Sequence, residues 1–251
     1  VATQSFVNPA YGPKGLALME DGKSATEALG ILVSQDDGKD YRQVAFLDAA
    51  GRAEAYTGKK CVEAASDITG RNFSVQANMM LNDKVVPAME VAFRSNQNLP
   101  LAERVLKVLQ AAQQAGGDIR GKQSAALIVV GPEKVKNSWE DKKIDLRVDD
   151  NEEPLKELER LLKVARAYEF MNRGDLAMEE DNVDKALDQY AKAMKLFPEN
   201  LKMKYWTAVA LANSGSVEDA IPLFKSIFIK DQHLRLMTRR LPKSGLLNVS
   251  K

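Results

Sequence analysis

Apolar and polar residues alternate from Val1 to Val7, the period that marks a half-buried strand. The run stops at Asn8-Pro9-Ala10-Tyr11-Gly12-Pro13-Lys14-Gly15, a stretch dense in turn formers. SATEALGILVSQ (Ser24 to Gln35) then takes the helical period, opened by Ser24 with Glu27 at capping-box spacing. YRQVAFLDAAGRAEAYTG predicts two short strands around Asp48-Ala49-Ala50-Gly51, and NFSVQANMM (Asn72 to Met80) a third. Helical spacing returns in DKVVPAMEVAFRS and LAERVLKVLQAAQQAGG, the latter stopped by Gly116-Gly117. QSAALIVVG (Gln123 to Gly131) is a nearly unbroken apolar run and KIDLRVDD (Lys143 to Asp150) alternates, so both read as strands, the first of them buried. Strands at hairpin spacing flanked by helix pairs predict an α+β sandwich, a mostly antiparallel sheet with helices on its faces, over residues 1–150.

From Asn151 strand signals cease, and residues 151–251 read as all-α. NEEPLKELERLLKVARAYEFM begins with acidic residues and Pro154, features of a helix N-terminus. Beyond it VDKALDQYAKAM (Val183 to Met194) aligns with VEDAIPLFKSIF (Val217 to Phe228) at an offset of roughly 34 residues, the tetratricopeptide period. Gly174, Ala186, Tyr190, Ala193 and Pro198 occupy the small, aromatic and terminating positions of such a repeat. Gly215, Ala220 and Phe224 repeat part of it, while Ile227 and Gln232 depart from it. Two helix pairs are fewer than the roughly three that make an independent solenoid. The unit is therefore expected to lean on its neighbours, and residues 165–230 offer either a surface for a protein partner or a packing and dimerisation appendage.

Composition narrows the function. The 251 residues carry a net charge of +1 and are 45% hydrophobic, enough for real cores and too balanced to attract nucleic acid or an anionic membrane. No apolar stretch is long enough to span a bilayer. Cys61 is the sole cysteine and His233 the sole histidine, so an intrachain disulfide, a histidine metal cluster and a histidine relay all lack their parts. Neither phosphate-binding glycine spacing occurs, and nothing calls for a metal or other cofactor. The opening inside a strand, without an initiator Met, predicts that residues precede Val1 in the gene product and points to processing and a bacterial periplasmic location.

Chemistry concentrates in three places. In AGGDIRGKQSAALIVV, Asp118 and Arg120 follow a helix stop, with Gln123 and Ser124 at the entry to a strand. Such a pair can meet a substrate's charge, though a mutual ion pair is the simpler account. Gln76 and Asn78 share a strand face and are amides able either to saturate backbone groups or to stabilise an oxyanion. Thr3, Gln4 and Ser5 lie on the first strand. Thr3 suits an N-terminal nucleophile only if the residues before it are removed, and an ordinary strand threonine also explains it. Arg147, Asp149 and Asp150 read as strand-end and helix-start charges.

Taken in order, ATQSFVNPAYGPKGL, DYRQVAFLDAAGRAEAYTGKKC, NFSVQANMML, AGGDIRGKQSAALIVV and DLRVDD closely resemble the bacterial "domain of unknown function 1028" family, over Val1 to about Asp150. The fold of that family is similar to that of N-terminal nucleophile (Ntn) hydrolases, and a tetratricopeptide-like tail is among its C-terminal extensions. The resemblance implies an αββα sandwich and hydrolysis of an amide bond in a small molecule or peptide. It also implies a few dozen residues ahead of ATQSFVNP, bearing the first strands and the nucleophile. A sandwich lacking those strands exposes edges, which predicts assembly, a homo-oligomer in the simplest case. By the same resemblance Thr3, Asn78, Asp118 and Arg120 are the catalytic candidates, and Gln4, Gln76 and Gln123 the substrate-binding ones. The competing reading is a binding or scaffold protein that uses its helical tail for partner or self association.

Overall fold

Strands β1 (Ala2–Ser5), β2 (Arg42–Leu47) and β3 (Ala53–Thr57) form an antiparallel sheet in the order β1-β2-β3. This is a computed structural model describing residues 1–137 and 139–248. Strand β4 (Ser66–Gly70) pairs with β5 (Phe73–Ala77), and β6 (Ala125–Val130) with β7 (Lys142–Val148), all antiparallel. The single sheet expected from the pattern is thus divided into three small ones. Contacts divide the chain into two compact units, Val1–Leu158 and Glu159–Lys251. Their boundary falls inside helix α5 (Pro154–Glu179) rather than at Asp150.

In the first unit, helices α1 (Tyr11–Glu20) and α2 (Ala25–Ser34) cover one face of the first sheet. Strand β2 alternates, so Val44 and Phe46 pack with Tyr11, Ala25, Ala28 and Leu29. The start of α1 replaces the turn expected at Tyr11 to Gly15. Pro13 is tolerated in a first helical turn, and Gly15 lies so close to the Phe46 ring that a Cβ would sit 2.4 Å from it. Ser24 caps α2 in the full capping box with Glu27. Helices α3 (Val85–Ser95) and α4 (Leu101–Gln114) cover β4–β5, where Phe73, Val75 and Ala77 meet Val85, Val86, Met89 and Val108. The opposite face of the first sheet sets Gln4, Gln43 and Thr57 among alanines, that of the second carries Asp67, Thr69, Ser74 and Gln76, and together they hold the site described below. Strand β6 is less buried than its composition suggests. Only Leu127 is fully buried, and Ile128 and Val130 are about half exposed at 52% and 53%, since among the described residues of this unit no layer covers that face.

The second unit is helical: the rest of α5, then α6 (Val183–Leu196), α7 (Leu201–Asn213), α8 (Val217–Lys230) and α9 (Gln232–Arg240). Asn182, Asn200 and Asp231 cap α6, α7 and α9 with side-chain oxygens. One core joins Ala167, Met171, Ala177, Ala186, Tyr190, Ala193, Met203 and Ala210. A second joins Tyr205, Val209, Ile227, Leu234 and Leu241. Ala186 and Ala220 are both fully buried, as are Ala193 and Ile227. At Gly174 a Cβ would lie 2.3 Å from the Tyr190 ring, so glycine is what lets α5 approach α6 there. No helix among the described residues is long and apolar enough to cross a membrane.

Candidate functional site

Register decides which candidates can meet. Gln4 pairs with Gln43 and Gln43 with Thr57, which puts all three side chains on one face of the first sheet, opposite Val44 and Phe46. Thr3 pairs with Val44 and so shares the opposite face, against the α1/α2 core. Its Oγ1 is buried there without a hydrogen-bond partner among the described residues. Geometry therefore separates Thr3 from the other candidates.

At the centre lies Gln43, fully buried. The two hydrogens of its Nε2 are shared among three acceptors, Thr57 Oγ1 (2.9 Å) and the carbonyls of Ser66 (3.1 Å) and Ala77 (3.0 Å). Carbonyls can only accept, so the amide's orientation is fixed, with Oε1 facing the other way. That oxygen accepts from Gln4 Nε2 (2.6 Å) and Asn78 Nδ2 (3.0 Å). Behind Gln43, the Thr57 hydroxyl donates to the Asp67 carboxylate. The result is a directional chain of hydrogen bonds from Asp67 on β4, through Thr57 and Gln43, to Gln4 and Asn78.

Gln4 and Asn78 both open onto a cavity of about 530 Å³ that Gln76, Asp118 and Arg120 also line. A neighbouring cavity of about 730 Å³ shares Gln4, Asp118 and Arg120 and is lined further by Gln123. Asp118 arrives from far along the chain. The left-handed glycines Gly116 and Gly117 end α4, and Met80 and Asp118 then form an antiparallel bridge, flanked by Leu81 N to Gly117 O (2.9 Å) and Ile119 N to Met79 O (3.0 Å). A Cβ at Gly116 would lie 2.7 Å from Asn82 Nδ2, so the approach needs glycine. Ser5 and Met79, the residues after the two cavity amides, are themselves left-handed at φ 58° and 57°. Each costs about 1–3 kcal/mol of backbone strain and turns the chain away just beyond a cavity amide.

Arg120 grips Asp118 with two prongs, Nε to Oδ1 at 2.9 Å and Nη2 to Oδ2 at 2.6 Å, and its backbone N–H adds a third bond. The guanidinium thereby holds the Asp118 carboxyl below its usual range, against the opposing effect of burial. Arg120 keeps further N–H donors on an exposed head. Asn78 retains a second Nδ2 hydrogen without a partner among the described residues. The cavity thus presents amide and guanidinium donors suited to a ligand's carbonyl or carboxylate. Among the described residues no group of three or more His, Cys, Asp or Glu side chains could hold a metal.

Of the sequence candidates, then, Gln4, Gln76, Asn78, Asp118 and Arg120 meet at one cavity, and Gln123 stands at the next. Gln43, Thr57 and Asp67 were missed. Their signal was faint: a glutamine inside the apolar run RQVAFL, on the face opposite Val44 and Phe46. The profile of the DUF1028 family, a family of unknown function, matches residues 1–158. The chain belongs to this family. Among solved structures it is similar to a DUF1028 protein, SPO2555 from Silicibacter pomeroyi. The two are 29% identical with a TM-score of 0.56, over 65% of this chain and 71% of that one. No curated protein matches. The DUF1028 match ends where the first unit ends, so both cavities lie within it.

Proposed function

We propose that the first unit takes an amide-bearing small molecule or peptide into the Gln4–Asn78–Asp118 cavity and hydrolyses that amide in the manner of an N-terminal nucleophile hydrolase. The observation that carries this reading is the fixed polarity of the Gln43 relay, which presents Asn78 to the cavity as a hydrogen-bond donor. The helix pairs on the outer faces of the first two sheets favour an αββα sandwich. The buried positions repeated in the second unit favour a tetratricopeptide-like tail.

In this reading the hydroxyl or thiol of a terminal Thr, Ser or Cys attacks the amide carbonyl, and its own α-amine takes the proton. The hydroxyls that line the two cavities, Ser5 and Ser124, bond no carboxylate or amine among the described residues, so neither has a base. Asn78 Nδ2 stabilises the oxyanion, and Arg120, fixed by Asp118, orients the substrate. Collapse expels the amine with the proton, and water then releases the acyl group.

The test is a panel of amide substrates, with intact mass and N-terminal sequencing of the protein used. Asn78→Ala should lower kcat by about 10²–10³. Asp118→Ala and Arg120→Ala should abolish turnover while thermal stability is kept. Unchanged turnover in all three variants would remove this cavity from the chemistry.

A further inference from the structure

The rim of the Gln4–Asn78–Asp118 cavity carries groups that the hydrolase reading leaves unused. Of the three charged side chains that line this cavity, Asp118 and Arg120 satisfy each other, and the third is Lys60. No carboxylate pairs with Lys60 among the described residues. Asp40, whose carbonyl accepts the Lys60 N–H (2.8 Å), gives its carboxylate to Lys59 instead (3.5 Å). The Lys60 ammonium lies over the Tyr41 ring, 4.9 Å from its centre, with the Tyr41 hydroxyl at 3.4 Å. Both contacts are neutral, so the positive charge stands uncompensated at the cavity. The turn that carries it is closely fixed: Gly58 N donates to Arg42 O (2.9 Å), Cys61 N donates to Gly58 O (3.0 Å), and a Cβ at Gly58 would lie 2.3 Å from Asp40 O.

Phe6 stands on the other side of Tyr41. Its ring meets the Tyr41 ring edge-on, 5.6 Å between centres, and is 70% exposed. The left-handed Ser5 precedes it, and Arg42, itself held by Asp36, donates from Nη1 to the Phe6 carbonyl. A strained corner and a largely buried ion pair thus hold an aromatic ring in water at the edge of the cavity. Val62, half exposed, lines the same cavity and extends this apolar rim.

We infer that the cavity recognises an N-acylated apolar α-amino acid with a free carboxylate, and that Lys60 and Phe6 are its specificity determinants. In such a molecule a single carbon beside the amide nitrogen bears both a carboxylate and an apolar side chain. Lys60 takes the first and Phe6 with Val62 the second, while the unpartnered Nδ2 hydrogen of Asn78 meets the amide carbonyl. The assignment rests on the hydrolase reading for the fate of the amide, and the recognition itself is measurable without turnover.

The test is isothermal titration calorimetry on the full chain with three probes. N-acetyl-L-phenylalanine is compared with N-acetyl-L-phenylalaninamide, which lacks only the charge, and with N-acetylglycine, which lacks the ring. The first should bind about tenfold more tightly than either of the others. Lys60→Gln should remove the preference for the acid over the carboxamide, and Lys60→Arg should keep it. Phe6→Ser should shrink the preference over N-acetylglycine and leave the preference for the acid intact. Absence of measurable binding of N-acetyl-L-phenylalanine, equal binding of acid and carboxamide, or a preference for the acid that survives Lys60→Gln overturns the inference. Acetate release is followed in the same samples. Lys60-dependent binding without acetate release removes the hydrolase reading and keeps this one, and acetate release without any preference in binding does the reverse.

Discussion

The two units treat buried polarity in opposite ways. In the first, Gln43 is fully buried and bonds residues of β1, β3, β4 and β5 as well as Asn78. In the second, Thr207, 3% exposed, bonds only Met203 O, one turn back in its own helix, at 2.9 Å. The helical unit otherwise fills its interior with alanine, aromatic and aliphatic side chains, and its buried tyrosines each make a single cross-helix bond, Tyr190 to Asp175 (2.8 Å) and Tyr205 from Thr238 (3.1 Å). A buried polar side chain that a single helix satisfies is structural filling, whereas one that ties several elements fixes a geometry. The first unit bears the cost of a polar interior at the place where its cavity needs oriented donors.

The largest effect that would test this contrast is Gln43→Leu. It removes the donor to the carbonyls of Ser66 and Ala77 and leaves Gln4 and Asn78 without the Gln43 acceptor. The loss should be roughly 3 kcal/mol in urea denaturation, with hydrogen exchange showing it confined to the first unit. A neutral result would mean that the polar interior is dispensable. Next comes Gly174→Ala in the helical unit. Its Cβ would meet the Tyr190 ring at 2.3 Å, and about 2 kcal/mol should be lost there by overpacking, with no change in the first unit.

Acid comes third. Arg42, bonded to Asp36 at 2.8 Å, holds that carboxyl down to about 2, helped by the Gly38 N–H and the Tyr11 hydroxyl. The folded state favours the ionised form, so its contribution is complete above the unfolded value near 4 and is lost as pH falls through about 2. Stability should fall by roughly 1–2 kcal/mol over that window, and Asp36→Asn should remove this part of the acid sensitivity. Smallest is Thr207→Val, expected to cost less than about 1 kcal/mol because the carbonyl it abandons keeps its helical partner. A larger loss would erase the distinction between the two interiors.

Much of this was legible in the sequence where the information is local. The Ser24 capping box, the β2–β3 hairpin and the Gly116-Gly117 stop announce themselves within a few residues. Ala186 and Ala220, matched by the 34-residue offset, are both buried. What stayed hidden was non-local or unpatterned. Strand β4, SDITG, has no apolar run to mark it and exists through its pairing with β5. Helix α1 was obscured by Gly12 and Pro13, whose turn preference yields to packing of Tyr11 and Gly15 against β2. For the site, residue types and strand faces were enough to nominate Gln76 and Asn78. The meeting of Asn78 with Asp118 depends on the bridge at Met80, and the role of Gln43 depends on where β4 and β5 arrive.

That dependence has a kinetic side. The bonds of Gln43 to Thr57, Ser66 and Ala77 span 14, 23 and 34 residues, and the last two need β4 and β5 already brought against β2. Chain entropy must be surrendered for every one of these closures before the amide is satisfied, and until then it is a polar group being dried without a partner. Gln43 should therefore join late on the folding path, so that Gln43→Leu speeds unfolding far more than it slows folding in stopped-flow measurements, as a latch that closes last and opens first would.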